Sequence, residues 1–410
     1  MSGADLVFIF SSIAKSAVVV GVVLGMVAYS VVAERRFSAM IQDRIGPNRT
    51  GIPLTNIRLF GLGQPIADGL KFLLKEEFTP AFVNKFYFTL APALAMIPAL
   101  VTLAVIPFGS TLDLRPLAAA VGEGWGWTAE TVEAFNIPAV IADLDIGLLF
   151  IFAIVSISVY GIVLAGWASN SKFPFLGGIR ASAQMISYEL SMGLAVVPVF
   201  LLVGHLNLGN IIDYQIENGW LAFPLAGPVT LESLLFWAPL FLSFILFLVA
   251  AFAETNRLPF DLAECETELV GGYHTEYSAM KFALFFLGEY AAMIVASAVM
   301  VTVFLGGWSL PLPWFNGLPM PVESFQLLGL SIPVPAALAG MAVPWWFGLV
   351  HIFVFVGKVA FFIFFFIWVR WTLPRFRYDQ LMNLGWKVFI PLGFANIFIA
   401  AFILAILRNP

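Results

Sequence analysis

Charge is what this 410-residue chain has least of: Asp, Glu, Lys and Arg make up 11% of it, against about 25% in a soluble chain of average make-up. A water-facing surface cannot be built from so few. With 61% hydrophobic residues and a mean hydropathy of +0.95, the chain reads as a polytopic membrane protein. Cysteine is nearly missing too. The single thiol, Cys265, excludes a disulfide framework and any zinc or iron-sulfur site made by this chain alone. The three histidines, His205, His274 and His351, fall in separate segments and argue against a haem held by a histidine pair. No Glu-x-x-His spacing supports a di-iron centre. No resident metal is expected, and the composition also excludes nucleic-acid binding and a secreted or coiled-coil role.

What the chain does have is long apolar runs. Eight are long enough to cross a bilayer core of about 30 Å: roughly 6 to 33, 86 to 108, 146 to 168, 183 to 204, 233 to 254, 282 to 306, 345 to 369 and 386 to 407. The first is expected to remain as a span, because Ser2 to Asp5 offer no basic region of the kind that precedes a cleaved signal. The fold class expected is therefore all-α, with about eight transmembrane helices. Neither a repeat nor a low-complexity linker divides it, so residues 1–410 read as one membrane domain. All but Lys15, Arg115, Lys358 and Arg408 of the 20 bases lie in loops that join odd to even spans. The positive-inside rule puts those loops on the inner side and both termini outside. The outer loops, 109 to 145, 205 to 232 and 307 to 344, are rich in Gly, Pro and Trp. They read as interfacial caps, with Trp125, Trp127, Trp220, Trp308 and Trp314 at headgroup depth.

The polar motifs crowd the inner face. Glu34-Arg35-Arg36 stands at the mouth of the first span, followed by a turn at Arg44-Ile45-Gly46-Pro47-Asn48, where Arg44 suits either a polar ligand head or a lipid phosphate. Residues 61 to 77 have Ile66, Leu70, Leu73 and Leu74 on one helical face and Asp68, Lys71 and Lys75 on others, the pattern of an amphipathic helix lying in the interface. At the inner end of the fifth span, Glu254, Asp261, Glu264, Glu266, Glu268 and Glu276 surround Arg257 alone. If that stretch is helical, Asp261, Glu264 and Glu268 form one stripe. A partner-facing loop, a proton pathway and a cation site all suit such a stripe. Glu189 and Glu289 lie about 10 Å inside the fourth and sixth spans, where an ionised carboxylate must be paired or wetted. With Glu34 and Glu254 they suggest a string of ionisable groups, and Lys358 in the seventh span is the expected cationic counterpart, in a structural ion pair. Arg375, Arg377 and Asp379 around Tyr378 read as a salt-bridged hinge into the last span.

Five of these segments, in this order, resemble the H-subunit family of proton-pumping NADH:quinone oxidoreductase, respiratory complex I, whose mitochondrial counterpart is complex I subunit 1. They are ERRFSAMIQDRIGPN (34–48), GLGQPIADGLK (61–71), AGWASNSKFPFLGGIRASAQMISYELS (165–191), ETNRLPFDLAECETELVGGYHTEYS (254–278) and PRFRYDQLMNLGWK (374–387). The resemblance implies a membrane subunit that helps form a quinone chamber and couples electron transfer to proton translocation. Quinone, ubiquinone or menaquinone, would be a substrate, while FMN, iron-sulfur clusters and haem would belong to other subunits. Implied partners are the hydrophilic iron-sulfur and quinone-site subunits, small membrane and antiporter-like subunits, and lipids. Carried over residue by residue, Arg35, Arg44, Asp68 and Phe286 would line the chamber. Glu34, Glu189, Glu254, Asp261, Glu264, Glu266, Glu268, Glu276 and Glu289 would serve proton coupling. The long outer loops and the lack of a transit peptide favour a bacterial inner membrane over a mitochondrial one. The rivals are the homologous anchor of a proton-pumping hydrogenase, which differs in its electron partner, and an ion-coupled secondary transporter, which should show inverted repeats.

Overall fold

A backbone amide or carbonyl left unpaired in lipid costs several kcal/mol, so each apolar run closes its hydrogen bonds within itself as a helix. The computed structural model describes residues 3–51, 60–125, 127–223, 231–262, 270–311, 315, 324–327, 330–333 and 346–408. Among them, 8 helices are long and apolar enough to cross a membrane, and the chain is a multi-pass membrane protein. In chain order the elements are α1 (Gly3–Ile41), α2 (Gln64–Leu74), α3 (Lys85–Thr102, extended by a 3-10 turn), β1 (Thr111–Asp113), α4 (Arg115–Trp125), α5 (Ala129–Glu133), β2 (Asn136–Pro138), α6 (Gly147–Ala168), α7 (Lys172–Val203) and α8 (Leu208–Asn218). There follow α9 (Leu231–Glu254), α10 (Ala279–Phe304), β3 (Ser324–Leu327), β4 (Leu330–Pro333), α11 (Phe347–Thr372), α12 (Tyr378–Asn383) and, through a π-helical turn at Leu384–Phe389, α13 (Ile390–Arg408).

Three boundaries differ from hydropathy, each for a local reason. Helix α1 continues past the span because ERRFSAMI is made largely of good helix formers, which carries Glu34 and Arg35 on helix rather than loop. Helix α7 starts at Lys172, with Pro174 tolerated in its first turn and a glycine pair lowering the hydropathy there. The segment 255–262 is not helical, so Asp261 does not stand on a helical stripe. Glu264, Cys265, Glu266 and Glu268 lie outside the described residues, as does Trp314.

Helix α10 is the hub. It packs on α1, α3, α9 and α11, and its span is 67% buried against 22% for α1. Close approach around α3 rests on small residues. A Cβ at Gly161 of α6 would come within 2.7 Å of the Ala95 amide nitrogen, and one at Gly288 of α10 within 3.1 Å of the Ala95 carbonyl. Helix α2 keeps Ile66, Leu70, Leu73 and Leu74 exposed, as an interfacial helix should.

The side of the bundle that carries the N-terminus departs most from expectation. It holds two antiparallel ribbons, β1–β2 and β3–β4. Trp308 is buried, with its ring 4.3 Å from that of His351. Lys358 pairs with no acid among the described residues; its ammonium donates to the carbonyls of Leu305 (2.7 Å), Gly307 (2.9 Å) and Ser309 (2.5 Å) and lies 4.3 Å over the Trp220 ring. It caps the negative end of the α10 dipole, where orphan carbonyls would otherwise be buried.

Candidate functional site

The C-terminal parts of α1 and α11, the N-terminal half of α10 and helix α2 line a cavity of about 600 Å³. Its walls are apolar (Val31, Phe72, Leu73, Phe282, Phe286) and its polar rim consists of Glu34, Arg35, Arg44, Asp68, Tyr290 and Arg370. All four residues expected around one chamber, Arg35, Arg44, Asp68 and Phe286, are therefore brought together. Asp68 ties α2 to α1: Arg35 Nη1 lies 2.8 Å from its Oδ2, and Gln64 donates to its Oδ1 at 2.9 Å. This pair is about half in solvent, so it contributes at most about 1 kcal/mol and serves to fix geometry. Arg44 donates to Gln42 at 2.7 Å.

Behind the rim sits an ion cluster. Glu34, on α1, is buried and fully satisfied: Tyr290 donates to its Oε2 at 2.5 Å, Arg257 Nη1 lies 3.4 Å from the same oxygen, and Arg370 pairs with its Oε1. Arg257 also reaches Glu289, with Nε 2.6 Å from Oε1 but off the N–H direction, and lays its guanidinium 4.1 Å over the Tyr290 ring. Arg375 reaches Asp261 at 3.5 Å. Burial opposes the Arg257 charge, yet Glu289, Tyr290 and Glu34 hold its pKa above the ordinary value. Asp261 is lifted to about 6 by burial and then by the Glu289 charge, against the pull of Arg375, Arg370 and Arg257.

The local fold aims Arg257 inward. Asn256 takes a left-handed conformation (φ 50°), which Asn tolerates, and so ends α9 in a tight turn. The fully buried Gln184 of α7 holds that turn, donating to Ala253 O (2.6 Å), Asn256 Oδ1 (3.0 Å) and Phe260 O (2.9 Å). Tyr188 donates to Leu381 O at 2.9 Å and so joins α7 to α12.

On the other side of α10 lies a smaller cavity of about 80 Å³, lined by Glu254, Glu289, Asn256, Tyr273 and apolar residues such as Val155 and Met192. Glu254 is 7% exposed, and its Oε2 has no hydrogen-bond partner among the described residues. Glu189 of α7 accepts a hydrogen bond from Ser156 of α6. Glu276 is half-buried in the turn before α10 and lines neither cavity. Burial in that segment lowers the His274 pKa to about 4. Of the expected hinge, Arg377 pairs with Asp379 at 3.3 Å in solvent, while Arg375 turns to Asp261.

Three members of the cluster are not anticipated by the sequence reading. Arg257 is noted there as the lone base among six acids but given no role, Arg370 counts only as a topological charge, and Tyr290 looks like an ordinary core aromatic. The available signal is Arg257 as the one base among six acids, in a loop next to lipid.

Comparison with known proteins agrees on one assignment. The family described as NADH dehydrogenase matches residues 14–401. The H subunit (copy 1) of the NADH-quinone oxidoreductase of Cytophaga hutchinsonii is 44% identical, covering 90% of this chain and 90% of its own. The corresponding copy-1 H subunits of Geobacter sulfurreducens and Geobacter metallireducens are 43% and 45% identical, covering 98% and 96% of this chain and the same shares of their own. A match of this length and identity, on a helical membrane chain with its polar groups gathered at one side, makes this protein a member of the H-subunit family of NADH-quinone oxidoreductase.

Proposed function

We propose that the large cavity receives the quinone of the oxidoreductase and that the acids behind it couple quinone reduction to proton movement. The observation that carries this is the joining, in one cavity, of apolar walls for an isoprenoid tail with a rim of ionisable groups near the inner surface. Reduction of a quinone to its quinol takes two electrons and two protons. The electrons would come from cofactors of other subunits, so this chain has only to bind, orient and manage charge. Phe72, Phe282 and Phe286 would flank the tail; Arg35 and Arg44 would face the head. Glu34, Glu289 and Asp261 would feel the change of charge through Arg257, Arg370 and Arg375, and Glu254 with Glu189 would relay it to protons further along the bundle.

Family membership makes the other subunits of the oxidoreductase its partners. The base-rich inner face supports docking of the hydrophilic iron-sulfur arm there, with both termini on the outer side of a bacterial cell membrane. Small membrane and antiporter-like subunits would take the proton route onward. A photoreactive quinone analogue, irradiated in the assembled complex, should label α1 and α10 around Val31 and Phe286, and unlabelled quinone should compete. Labelling confined to other subunits would overturn the chamber.

A further inference from the structure

Above the chamber, toward the opposite side of the membrane, the crevice between α1, α10, α11 and strand β2 holds a separate cavity of about 310 Å³. Its walls are apolar and mostly aliphatic, with Val18, Val22, Ile137, Ile294, Ile352 and Val359 among them, and its polar residues, Ser11 and Lys15, both lie at the outer end. A cavity of this kind does not hold water. Lys15 is oriented by the backbone: its ammonium donates to Val140 O at 2.8 Å and to Pro138 O at 3.3 Å. Among the described residues no carboxylate pairs with it, so two backbone acceptors leave its third N–H and its positive charge without an acidic partner. The depth fits as well. From Lys15 to Glu34, at the chamber, α1 rises about 28 Å, close to the hydrocarbon thickness of about 30 Å. Lys15 thus stands at the headgroup boundary opposite the chamber, with the cavity running inward from it.

We propose that this cavity binds one acyl chain of an anionic phospholipid from the leaflet on the Lys15 side, with the lipid phosphate held by Lys15. The charge at the rim selects the headgroup and the aliphatic walls take the chain. The bound lipid would fill the seam by which α1, whose span is only 22% buried, leans on α10 and α11. The site is independent of the quinone assignment.

The test uses the assembled complex in phosphatidylcholine nanodiscs with a trace of phosphatidylglycerol carrying a diazirine in its acyl chain. After irradiation, the label should concentrate on residues 18–26 of α1 and 352–359 of α11. Lys15→Gln should lower it about fivefold, the weight of one basic contact. Val22→Trp should abolish it there while labelling of lipid-facing Phe361 and Phe398 persists, which controls for folding. Undiminished labelling in Val22→Trp would overturn the site. Equal labelling by diazirine phosphatidylcholine would overturn the anionic headgroup, and a photoreactive quinone labelling the same residues would replace the lipid with the quinone tail.

Discussion

Two groups of sequestered acids meet around α10, and they are built on opposite plans. In one, Glu34, Glu289 and Asp261 face Arg257, Arg370 and Arg375, so each carboxylate has a guanidinium within ion-pair distance. In the other, Glu254 and Glu189 have no cation in ion-pair contact among the described residues, and Glu189 accepts a hydrogen bond from the Ser156 hydroxyl. Paired charges in low dielectric hold one another in place, and breaking such a pair is costly. A buried acid without a cation has no such anchor, and its proton is the quantity free to change. The first group is suited to sensing charge in the chamber, and the second to passing protons.

The largest effect should come from removing the common cation. Arg257→Met strands Glu289 and leaves Glu34 with Arg370 alone, a change worth about 3–5 kcal/mol when a buried pair loses one member. The variant should fail to assemble or lose all quinone reduction, as read on native gels and by NADH:quinone turnover; near-normal turnover would mean the cluster is not what holds α1 to α10. Glu254→Gln keeps shape and packing but removes the titratable group. Assembly and NADH oxidation should survive, while protons pumped per NADH fall on the order of tenfold, the size of an ordinary coupling free energy. Wild-type pumping here would erase the distinction between the two groups.

A smaller effect is expected at the rim. Arg35→Ala should raise the KM for quinone about fivefold, the scale of one exposed charged contact, and leave NADH oxidation by an artificial acceptor unchanged. Equal loss of both activities would point to damaged assembly instead. The smallest change should be at Asp261, whose pKa of about 6 lies above the unfolded value. Below that pH it is protonated and releases Arg375; above it the ion pair forms. Asp261→Asn should flatten the part of the pH–activity profile near 6, and an unchanged profile would remove Asp261 from the sensing group.

Much of the scaffold was legible because lipid leaves the backbone few choices. Eight apolar runs became eight crossing helices, and GLGQPIADGLK became the amphipathic α2. Arg35, Arg44, Asp68 and Phe286 were put around one chamber by the family resemblance, and the charge pattern alone left Arg44 open between a ligand head and a lipid phosphate. What stayed hidden was pairing. Nothing in the order of residues says that Arg370, on α11, crosses to Glu34 on α1, or that Gln184 steadies a turn some seventy positions away. Lys358 misled for the same reason: its depth called for a counter-charge, and three carbonyls at the end of α10 supplied one without any acid. The outer ribbons β1–β2 and β3–β4 are too short for periodicity to register.

Helix α10 is also a septum one helix thick. Phe286, Leu287 and Tyr290 line the large cavity, while Gly288, Glu289 and Ala292 line the small one. Because successive residues on a helix lie about 100° apart, Glu289 and Tyr290 report to different compartments although they are covalent neighbours. A rigid rod transmits rotation without loss along its length. A turn of about 10° around its axis sweeps a side-chain tip through about 1 Å, enough to weaken a hydrogen bond on one face as it alters an ion pair on the other. The mechanical impedance of the protein between its two cavities is therefore that of a single α-helix, held at its C-terminal end by Lys358 and near its middle by Arg257.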